Sequence, residues 1–396
     1  MLDNTKKPNP KPDKPLEPRP LLQHDCDRQL MVARFNHNAT VLVAGGYDAL
    51  LHRWQLVEPQ ANDKAGDKSD SQGADKAGKK ADDKPGERLA ELKPVAGHQG
   101  WVTCLEVQPG GDLLFSADSW GRLQATRAID GEPAVVWHHA QAHDGWIRSL
   151  SVSADGQMVV TAGRDLTIRA WSATDGRLLH TVADQPAEVL AVAIHPDQRT
   201  LVSGDLFGVL RRIQLSDGKC LSETRFDKMH FYRRLQDVGG MRILRFHDEG
   251  RTLICAGGEP QQTGRAIGIP TMHWLNWTDL KIQHTARFGP QNHGFVFDFA
   301  WHPDKYWAVV TSGQPGHGQF LLLNHGQDKP FFASTKMSNC HSLAVHPDGR
   351  MVVTASNRNS QGNGAVRDKQ GQYVGNYSPL HVFAPPRQES AEPENS

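Results

Sequence analysis

The sequence lacks an apolar run long enough to cross a bilayer, and its charges balance at 44 basic and 44 acidic side chains. A transmembrane α-helix needs about 20 consecutive apolar residues. Because the formal net charge is zero, no overall electrostatic field draws the chain onto nucleic acid or an anionic membrane. We therefore expect neither a nucleic-acid nor a membrane partner.

Cysteine is scarce and shows no pairing pattern. An odd number of well-separated thiols without a Cys-x-x-Cys motif favours reduced, packed side chains over a disulfide framework or a zinc site. The first twenty residues are rich in Lys and Pro and contain no apolar core of a secretory signal. We therefore predict a cytoplasmic location. The five cysteines are Cys26, Cys104, Cys220, Cys255 and Cys340.

Catalytic motifs are also missing. The sequence has no Gly-x-Ser-x-Gly turn, no phosphate-binding glycine loop opening a helix and no paired histidines at helical spacing. His195, His302 and His346 each precede Pro-Asp in a different repeat, so we expect them to be far apart and structural. For Asp237 and Asp298, a turn or cap role is favoured over catalysis. We predict no enzyme activity, no catalytic residue, no metal and no cofactor.

What the sequence does contain is a phrase repeated about seven times, in which two apolar runs flank a polar turn. Its clearest copy spans residues 150–162. Short strands with period-two alternation, recurring at a period in the forties, are typical of a radial array of four-stranded sheets. Successive turns are 72, 45, 42, 52, 55 and 44 residues apart, at His37, Pro109, Ala154, Pro196, Asp248, Pro303 and Pro347.

We predict from this repeat an all-β fold over residues 16–385, a seven-bladed β-propeller of four-stranded antiparallel blades. Residues 1–15 form a Lys- and Pro-rich tail and residues 386–396 an acidic tail, both predicted to be disordered. A low-complexity insert of Asp, Lys, Gly and Ala at about 62–88 accounts for the long first interval.

Blade 3 carries the motifs of a known family. Its Ala-His-Asp-Gly at 142–145, Thr-Ala-Gly at 161–163 and Asp-x-x-x-x-x-Trp at 165–171 are similar to the landmarks of WD40-repeat proteins. The chain resembles that family over roughly residues 16–383, with divergent repeats. In the family, such residues share a hydrogen-bond network within one blade. The resemblance assigns those roles to His143, Thr161, Asp165 and Trp171.

The same resemblance implies how the ring closes and where its networks weaken. In WD40 proteins an N-terminal strand usually completes the last blade, and residues 16–23 are the candidate here. Closure removes sheet edges that would otherwise pair with other chains. Blade 2 keeps His98 and Ser116 but has Trp120 and Thr126 where blade 3 has Asp and Trp, so its network is in doubt.

Aromatic residues recur at turns that the family places on one face of the disc. Trp101 and Trp146 each follow a His-x-Gly turn, whereas Tyr47, Trp120 and Phe207 belong to turns between the second and third strands. Large, rigid side chains of this kind dominate interface energetics. Packing against neighbouring loops is the alternative. The candidate partner-binding residues are Tyr47, Trp101, Trp120, Trp146, Arg164, Phe207, Arg265 and His317.

Long turns in the last three blades are a second candidate feature. Residues 258–269, 314–318 and 357–377 are predicted to form one wall of loops on that face. Tolerated insertion is the plainer explanation. The aromatic and basic residues 231–234 favour a solvated loop over a nucleic-acid patch.

We predict a non-catalytic scaffold that binds a protein or peptide partner through its loop-rich face. The alternative is a propeller enzyme, a metal-assisted hydrolase with a pocket at the mouth of the central channel. Acidic or His side chains converging at that mouth would favour the enzyme. An aromatic shelf would favour the scaffold.

Overall fold

Alternating apolar residues separated by tight turns give this chain short strands, and in the computed structural model these build seven four-stranded antiparallel sheets around one axis. The predicted β-propeller is therefore confirmed. The structure describes residues 16–57, 88–127, 129–233, 236–261, 267–314, 316–356, 365–367, 370, 373–376 and 378–386.

Each of the first four blades uses four consecutive strands, called a to d from the centre outward. A strand that belongs to the last blade precedes them, β1 (Arg19–Cys26). Blade 1 contains β2 (Leu30–Phe35), β3 (Val41–Gly46), β4 (Leu51–Val57) and β5 (Arg88–Val95). Blade 2 contains β6 (Val102–Val107), β7 (Leu114–Asp118), β8 (Leu123–Arg127) and β9 (Ala134–His139). Blade 3 contains β10 (Ile147–Val152), β11 (Met158–Gly163), β12 (Ile168–Ser172) and β13 (Leu178–Val182). Blade 4 contains β14 (Val189–Ile194), β15 (Thr200–Asp205), β16 (Val209–Gln214) and β17 (Cys220–Arg225).

The last three blades keep this order but carry two additional hairpins. The first hairpin precedes blade 5 and pairs β18 (His230–Arg233) with β19 (Gln236–Gly239). Blade 5 contains β20 (Met241–His247), β21 (Thr252–Pro260), β22 (Gly268–Asn276) and β23 (Ile282–Arg287). Blade 6 contains β24 (Phe295–Trp301), β25 (Tyr306–Ser312), β26 (Gly318–Asn324) and β27 (Phe332–Ser334). Blade 7 contains β28 (Ser338–Val345), β29 (Met351–Ser356), the second hairpin of β30 (Ala365–Arg367) and β31 (Tyr373–Asn376), and β32 (Ser378–Ala384). The 3-10 turns are Asp227–Met229, Asp248–Gly250 and Gln291–His293.

The ring is closed by the N-terminal strand. β1 pairs antiparallel with β32, from Arg19 opposite Ala384 to Cys26 opposite Ser378, and so becomes strand d of blade 7. The predicted closure is confirmed, although the strand spans Arg19–Cys26 rather than residues 16–23. Because the first and last described strands pair in this sheet, β1 covers the edge that β32 would otherwise expose.

The hydrophobic core lies between neighbouring blades. Phe115 of blade 2 packs in one cluster with Trp171 of blade 3, and Trp274 of blade 5 packs with Phe299 and Trp307 of blade 6. A single blade cannot cover its own apolar faces, so stacking against its neighbours supplies the burial. The inner strands, a, surround a central channel of about 770 Å³.

Two segments that were predicted to be loops contain strands. The predicted solvated loop at 231–234 begins in the hairpin of β18 and β19. In blade 5, Gly258 pairs with Pro270 and Pro260 pairs with Gly268, so the predicted loop at 258–269 is much shorter. The prolines lie near the end of this strand pair, where a missing N–H costs little.

Several predictions fall on residues that the structure does not describe. These are the tails at 1–15 and 386–396 and the insert at 62–88, apart from residues 88 and 386 at their edges, and they stay predictions. Most of the predicted blade 7 loop at 357–377 is also outside the described ranges. In the part of the chain that is described, no helix has the length and apolar character to span a membrane.

Candidate functional site

The antiparallel strand order divides the turns between two faces of the disc. The d-to-a and b-to-c turns lie on what we call the loop face, and the a-to-b and c-to-d turns lie on the reverse face. Of the eight predicted partner-binding residues, Arg265 lies outside the described residues. The other seven all belong to loop-face turns: Tyr47, Trp101, Trp120, Trp146, Arg164, Phe207 and His317.

Three of these side chains form a continuous aromatic row across blades 1 to 3. The rings of Tyr47 and Trp101 are stacked with centroids 4.3 Å apart and an interplanar angle of 10°. Trp101 meets Trp146 edge to face at 5.8 Å. The guanidinium of Arg148, two residues after Trp146, lies 3.9 Å above the Trp146 ring. The row therefore extends from the turn of Tyr47 in blade 1 to Arg148, the second residue of the inner strand β10.

Trp120 lies in the turn next to that of Trp101 and is the most exposed of these aromatic residues. Its side chain is 65% exposed, and that of Trp101 is 40% exposed. A Cβ atom at Gly100 would lie only 2.8 Å from Cδ1 of the Trp120 ring, so this close approach requires glycine. The Trp101 N–H donates to Ser119 Oγ at 3.0 Å. The two exposed tryptophans are thus held by contacts between adjacent turns.

The remaining candidates contact other neighbours. Phe207 packs edge to face on His230 at 4.9 Å, against the first hairpin. His317 Nδ1 lies 3.0 Å from Asn292 Nδ2 within blade 6. The Arg164 N–H donates to the carbonyl of Trp146 at 2.9 Å, which ties its turn to the row through the backbone. The predicted residues therefore do not form a single patch.

The four predicted network residues of blade 3 are brought together below this face. His143 Nδ1 lies 2.9 Å from Asp165 Oδ1, and Nε2 lies 2.7 Å from Thr161 Oγ1. Trp171 Nε1 donates to the same hydroxyl at 2.9 Å. Burial lowers the pKa of His143. Burial alone would raise the pKa of Asp165, but its hydrogen bond from His143 and its other donors outweigh that and lower it.

Blade 2 has a related network that register comparison with blade 3 did not identify. Asp118, two positions before the register of Asp165, places Oδ2 at 3.0 Å from His98 Nδ1. His98 Nε2 lies 2.7 Å from Ser116 Oγ. The N–H of Trp120 donates to Asp118 Oδ1 at 2.9 Å. Burial opposes ionisation, yet these donors lower the pKa of Asp118 to about 2. An ionised, buried carboxylate therefore holds the turn that presents Trp120.

The mouth of the channel is built by a β-bulge that recurs near the start of every strand a. A bulge leaves one residue unpaired and redirects its side chain. Strand a begins at the loop face, so the bulged residues form a ring at that mouth. One bulged residue from each strand a lines the channel, and β28 has a second bulge at Asn339. The seven lining residues are Met31, Thr103, Arg148, Leu190, Arg242, Phe297 and His341.

Sequence reasoning missed this ring because a bulge hardly alters an apolar alternation. The one available signal was a charged residue directly after the first apolar position of a strand a. Arg148 follows Ile147 in this way, and Arg242 follows Met241.

Deeper in the channel, Asp298 joins three strands. Arg34 Nη1 donates to its Oδ2 at 2.8 Å and Arg245 Nη2 to its Oδ1 at 2.9 Å. The Ser342 hydroxyl and the Leu343 N–H each donate at 3.1 Å. Burial would raise the pKa of Asp298, but the charges of the two arginines outweigh that and lower it. The predicted turn or cap role is wrong, because Asp298 lies inside β24.

The three His-Pro-Asp histidines are on the reverse face, in three different blades. In each, Nε2 faces a carbonyl of the following blade and therefore donates to it. His195 lies 3.2 Å from the Gly250 oxygen, His302 2.7 Å from that of Gly349, and His346 3.0 Å from that of Ala39. Across the described ranges, no three His, Cys, Asp or Glu side chains are grouped so that they could hold a metal ion.

The family follows from this geometry together with the repeat match. The family model described as WD domain, G-beta repeat matches residues 87–124 and 135–172. Each matched segment runs from strand d of one blade into strand c of the next. β1 shows the same offset between repeat and blade, because it precedes blade 1 in sequence and is strand d of blade 7. The chain contains WD40 repeats. No curated protein matches it. WD40-repeat propellers are generally non-enzymatic scaffolds that bind protein partners.

Proposed function

We propose that this WD40-repeat propeller is a non-catalytic scaffold that binds a protein or peptide partner through its loop face. The observation that carries the proposal is the aromatic row of Tyr47, Trp101 and Trp146, with the exposed Trp120 in the turn beside it. Exposed, clustered aromatic side chains are strong interface anchors because they bury a large area at low conformational cost.

The row is supported by a rigid base, which favours recognition further. Asp118 accepts backbone N–H groups from the turns that present Trp101 and Trp120, including those of Gly100 at 3.3 Å and Trp120 at 2.9 Å. Anchors that are already ordered lose less entropy when a partner binds.

We further propose a cytoplasmic location and an extended peptide or protein loop as the partner. All five cysteines belong to the described residues and are free thiols. Burial raises the pKa of four of them, Cys26, Cys104, Cys255 and Cys340, so those thiols are protonated and packed. Reduced thiols support a cytoplasmic location. An extended peptide or a protein loop has a suitable shape to lie along the aromatic row as far as the channel mouth.

We place the hydrolase alternative second. A general base at the channel mouth would need a carboxylate free to accept a proton. Asp298 has both oxygens engaged by arginines.

The test is affinity purification with mass spectrometry, using the full chain and the double variant Trp101→Ala/Trp120→Ala. A matched control is Leu178→Ala/Ile282→Ala, which removes two similarly exposed apolar side chains from outer strands. We expect partners captured by the wild type and the control to be lost with the tryptophan variant. Titration of the identified partner by calorimetry should show at least tenfold weaker binding. Capture that survives in the tryptophan variant, with an unchanged melting curve, would refute the assignment of this face.

A further inference from the structure

The central channel contains four arginines, and their carboxylate partners are unequally distributed. Arg34 and Arg245 share Asp298, and Arg148 pairs with Glu188 at 2.5 Å. Among the described residues no carboxylate pairs with Arg242, and its Nε atom is buried without a hydrogen-bond partner. Within the described ranges, Arg242 is therefore the one channel arginine without an ion pair of its own.

The surroundings of Arg242 hold it in place without neutralising it. Its guanidinium lies 4.6 Å above the ring of Phe295 and 5.6 Å from that of Phe297. Burial, followed by the charge of Arg148, outweighs the opposing charge of Glu188 and lowers the pKa of Arg242 to about 10. The group therefore still carries its positive charge at neutral pH. A cation stacked on aromatic rings is oriented, but it recovers only part of the hydration that it has lost.

The remaining acidic groups around the mouth are already engaged. Glu188 accepts from Arg148 Nε, and Asp237 Oδ1 lies 2.7 Å from His230 Nε2. A counter-ion for Arg242 would therefore have to arrive with a ligand. Arg242 is one of the bulged residues of the mouth ring, so it faces the space that the aromatic row leads to.

We propose that Arg242, with Arg148 beside it, binds an oxyanion at the channel mouth, a carboxylate or phosphate group carried by the peptide partner. This inference rests on the proposed function, since the row supplies apolar anchors and Arg242 supplies the polar one. A guanidinium held against aromatic rings suits bidentate pairing with an oxyanion, because its planar fork of N–H groups matches the two oxygens.

The test uses inorganic phosphate and acetate as probes, titrated separately into the full chain by calorimetry at low ionic strength. Arg242→Met removes the charge and keeps the apolar stem. The matched control is Arg212→Met, because Arg212 is also stacked on an aromatic ring, 3.9 Å from that of Trp277, and also has a buried Nε without a partner. We expect phosphate binding at least tenfold weaker in Arg242→Met and unchanged in the control.

A second variant tests the anion site even if Arg242→Met fails to fold. Glu188→Gln removes the negative charge that pairs with Arg148 and leaves an amide oxygen in its place. We expect phosphate to bind severalfold more tightly to this variant. A general loss of structure cannot produce such a gain, and an unchanged or weaker affinity would count against the site.

The two probes also identify the chemistry of the anion. Binding of phosphate alone would assign a phosphoryl group, whereas binding of both anions would include carboxylates. Binding of neither, or equal binding by wild type and Arg242→Met, would overturn the proposal. The variant Trp101→Ala/Trp120→Ala should keep phosphate binding, so a failure of the anion site is distinguishable from a failure of the aromatic row.

Discussion

On the reverse face Arg212 lies 3.9 Å above the ring of Trp277, and on the loop face Arg148 lies 3.9 Å above that of Trp146. The residue types are the same, but their surroundings differ. The ring of Trp277 is also stacked with that of His195, with the two centroids 4.9 Å apart. His195 Nε2 in turn donates to the Gly250 carbonyl of the next blade. That cluster connects two blades and ends there.

The loop-face cluster remains open instead. Trp146 continues to Trp101 and its neighbour Trp120, both exposed, while Arg148 borders the channel mouth. Aromatic content alone therefore does not identify a binding surface in this propeller. The distinguishing property is whether the polar and apolar groups of a cluster are already used by the fold.

Acidification is the broadest test of this comparison, because buried histidines support both faces. Burial lowers the pKa of His341 at the mouth and of His273 to about 4, and it lowers the pKa of His302 on the reverse face. In an unfolded chain, histidine titrates near 6.5. As the pH falls below about 6.5, the unfolded state therefore binds protons first, and the free energy of unfolding decreases until about pH 4.

Below about pH 4 the carboxylates determine how the free energy of unfolding depends on pH. The pKa of Asp118 is about 2 in the folded chain, against roughly 3.9 when unfolded, so its contribution is lost as the pH falls from about 4 to 2. We expect the urea midpoint to fall throughout this acid range, and His341→Gln to reduce the slope between pH 6.5 and 4. A midpoint that stays constant there would show that these histidines are not buried as neutral side chains.

The next largest effect is expected at the supports beneath the loop face. Asp118→Ala leaves His98 and several backbone N–H groups without their acceptor, which should lower the free energy of unfolding by about 3 kcal/mol or more. Asp165→Ala should cost less, about 1–3 kcal/mol, because that side chain is partly exposed. Denaturant midpoints give both values. A smaller cost for Asp118 than for Asp165 would contradict the importance of the blade 2 network.

The smallest effects separate the two faces directly. His302→Ala removes a buried ring that donates to the Gly349 carbonyl and accepts from the Asp304 N–H, so we expect a loss of about 1–3 kcal/mol. Trp120→Ala should change stability by less than about 0.5 kcal/mol, because its side chain is largely exposed. Urea titration of both variants provides the check. Equal losses would mean that Trp120 is part of the fold rather than an available anchor.

Much of the fold was predictable because its signal is local. The clearest repeat copy, at 150–162, predicts two short strands around a polar turn, and the structure has β10 ending at Val152 and β11 beginning at Met158. The role of Asp118 was not predictable by register, because its carboxylate reaches His98 from a position two residues earlier than Asp165 reaches His143. Turn geometry decides that distance, and sequence spacing does not.

The channel mouth was hidden for a related reason. The sequence shows charged residues in several inner strands, but ion pairing there connects different blades, as Arg34 of blade 1 pairs with Asp298 of blade 6. Which arginine remains without a carboxylate depends on how the blades surround the channel. That Arg242 has no ion pair among the described residues is therefore visible only in the assembled ring.

The pairing of β1 with β32 also has a consequence for synthesis of the protein. β1 is the first described strand to leave the ribosome and β32 is the last. At about 5–20 residues per second, β1 waits roughly 20–70 s for its partner. During that interval the nascent ring has free strand edges that other chains can capture. A premature stop codon before residue 378 would thus produce an open, aggregation-prone ring rather than a smaller stable propeller.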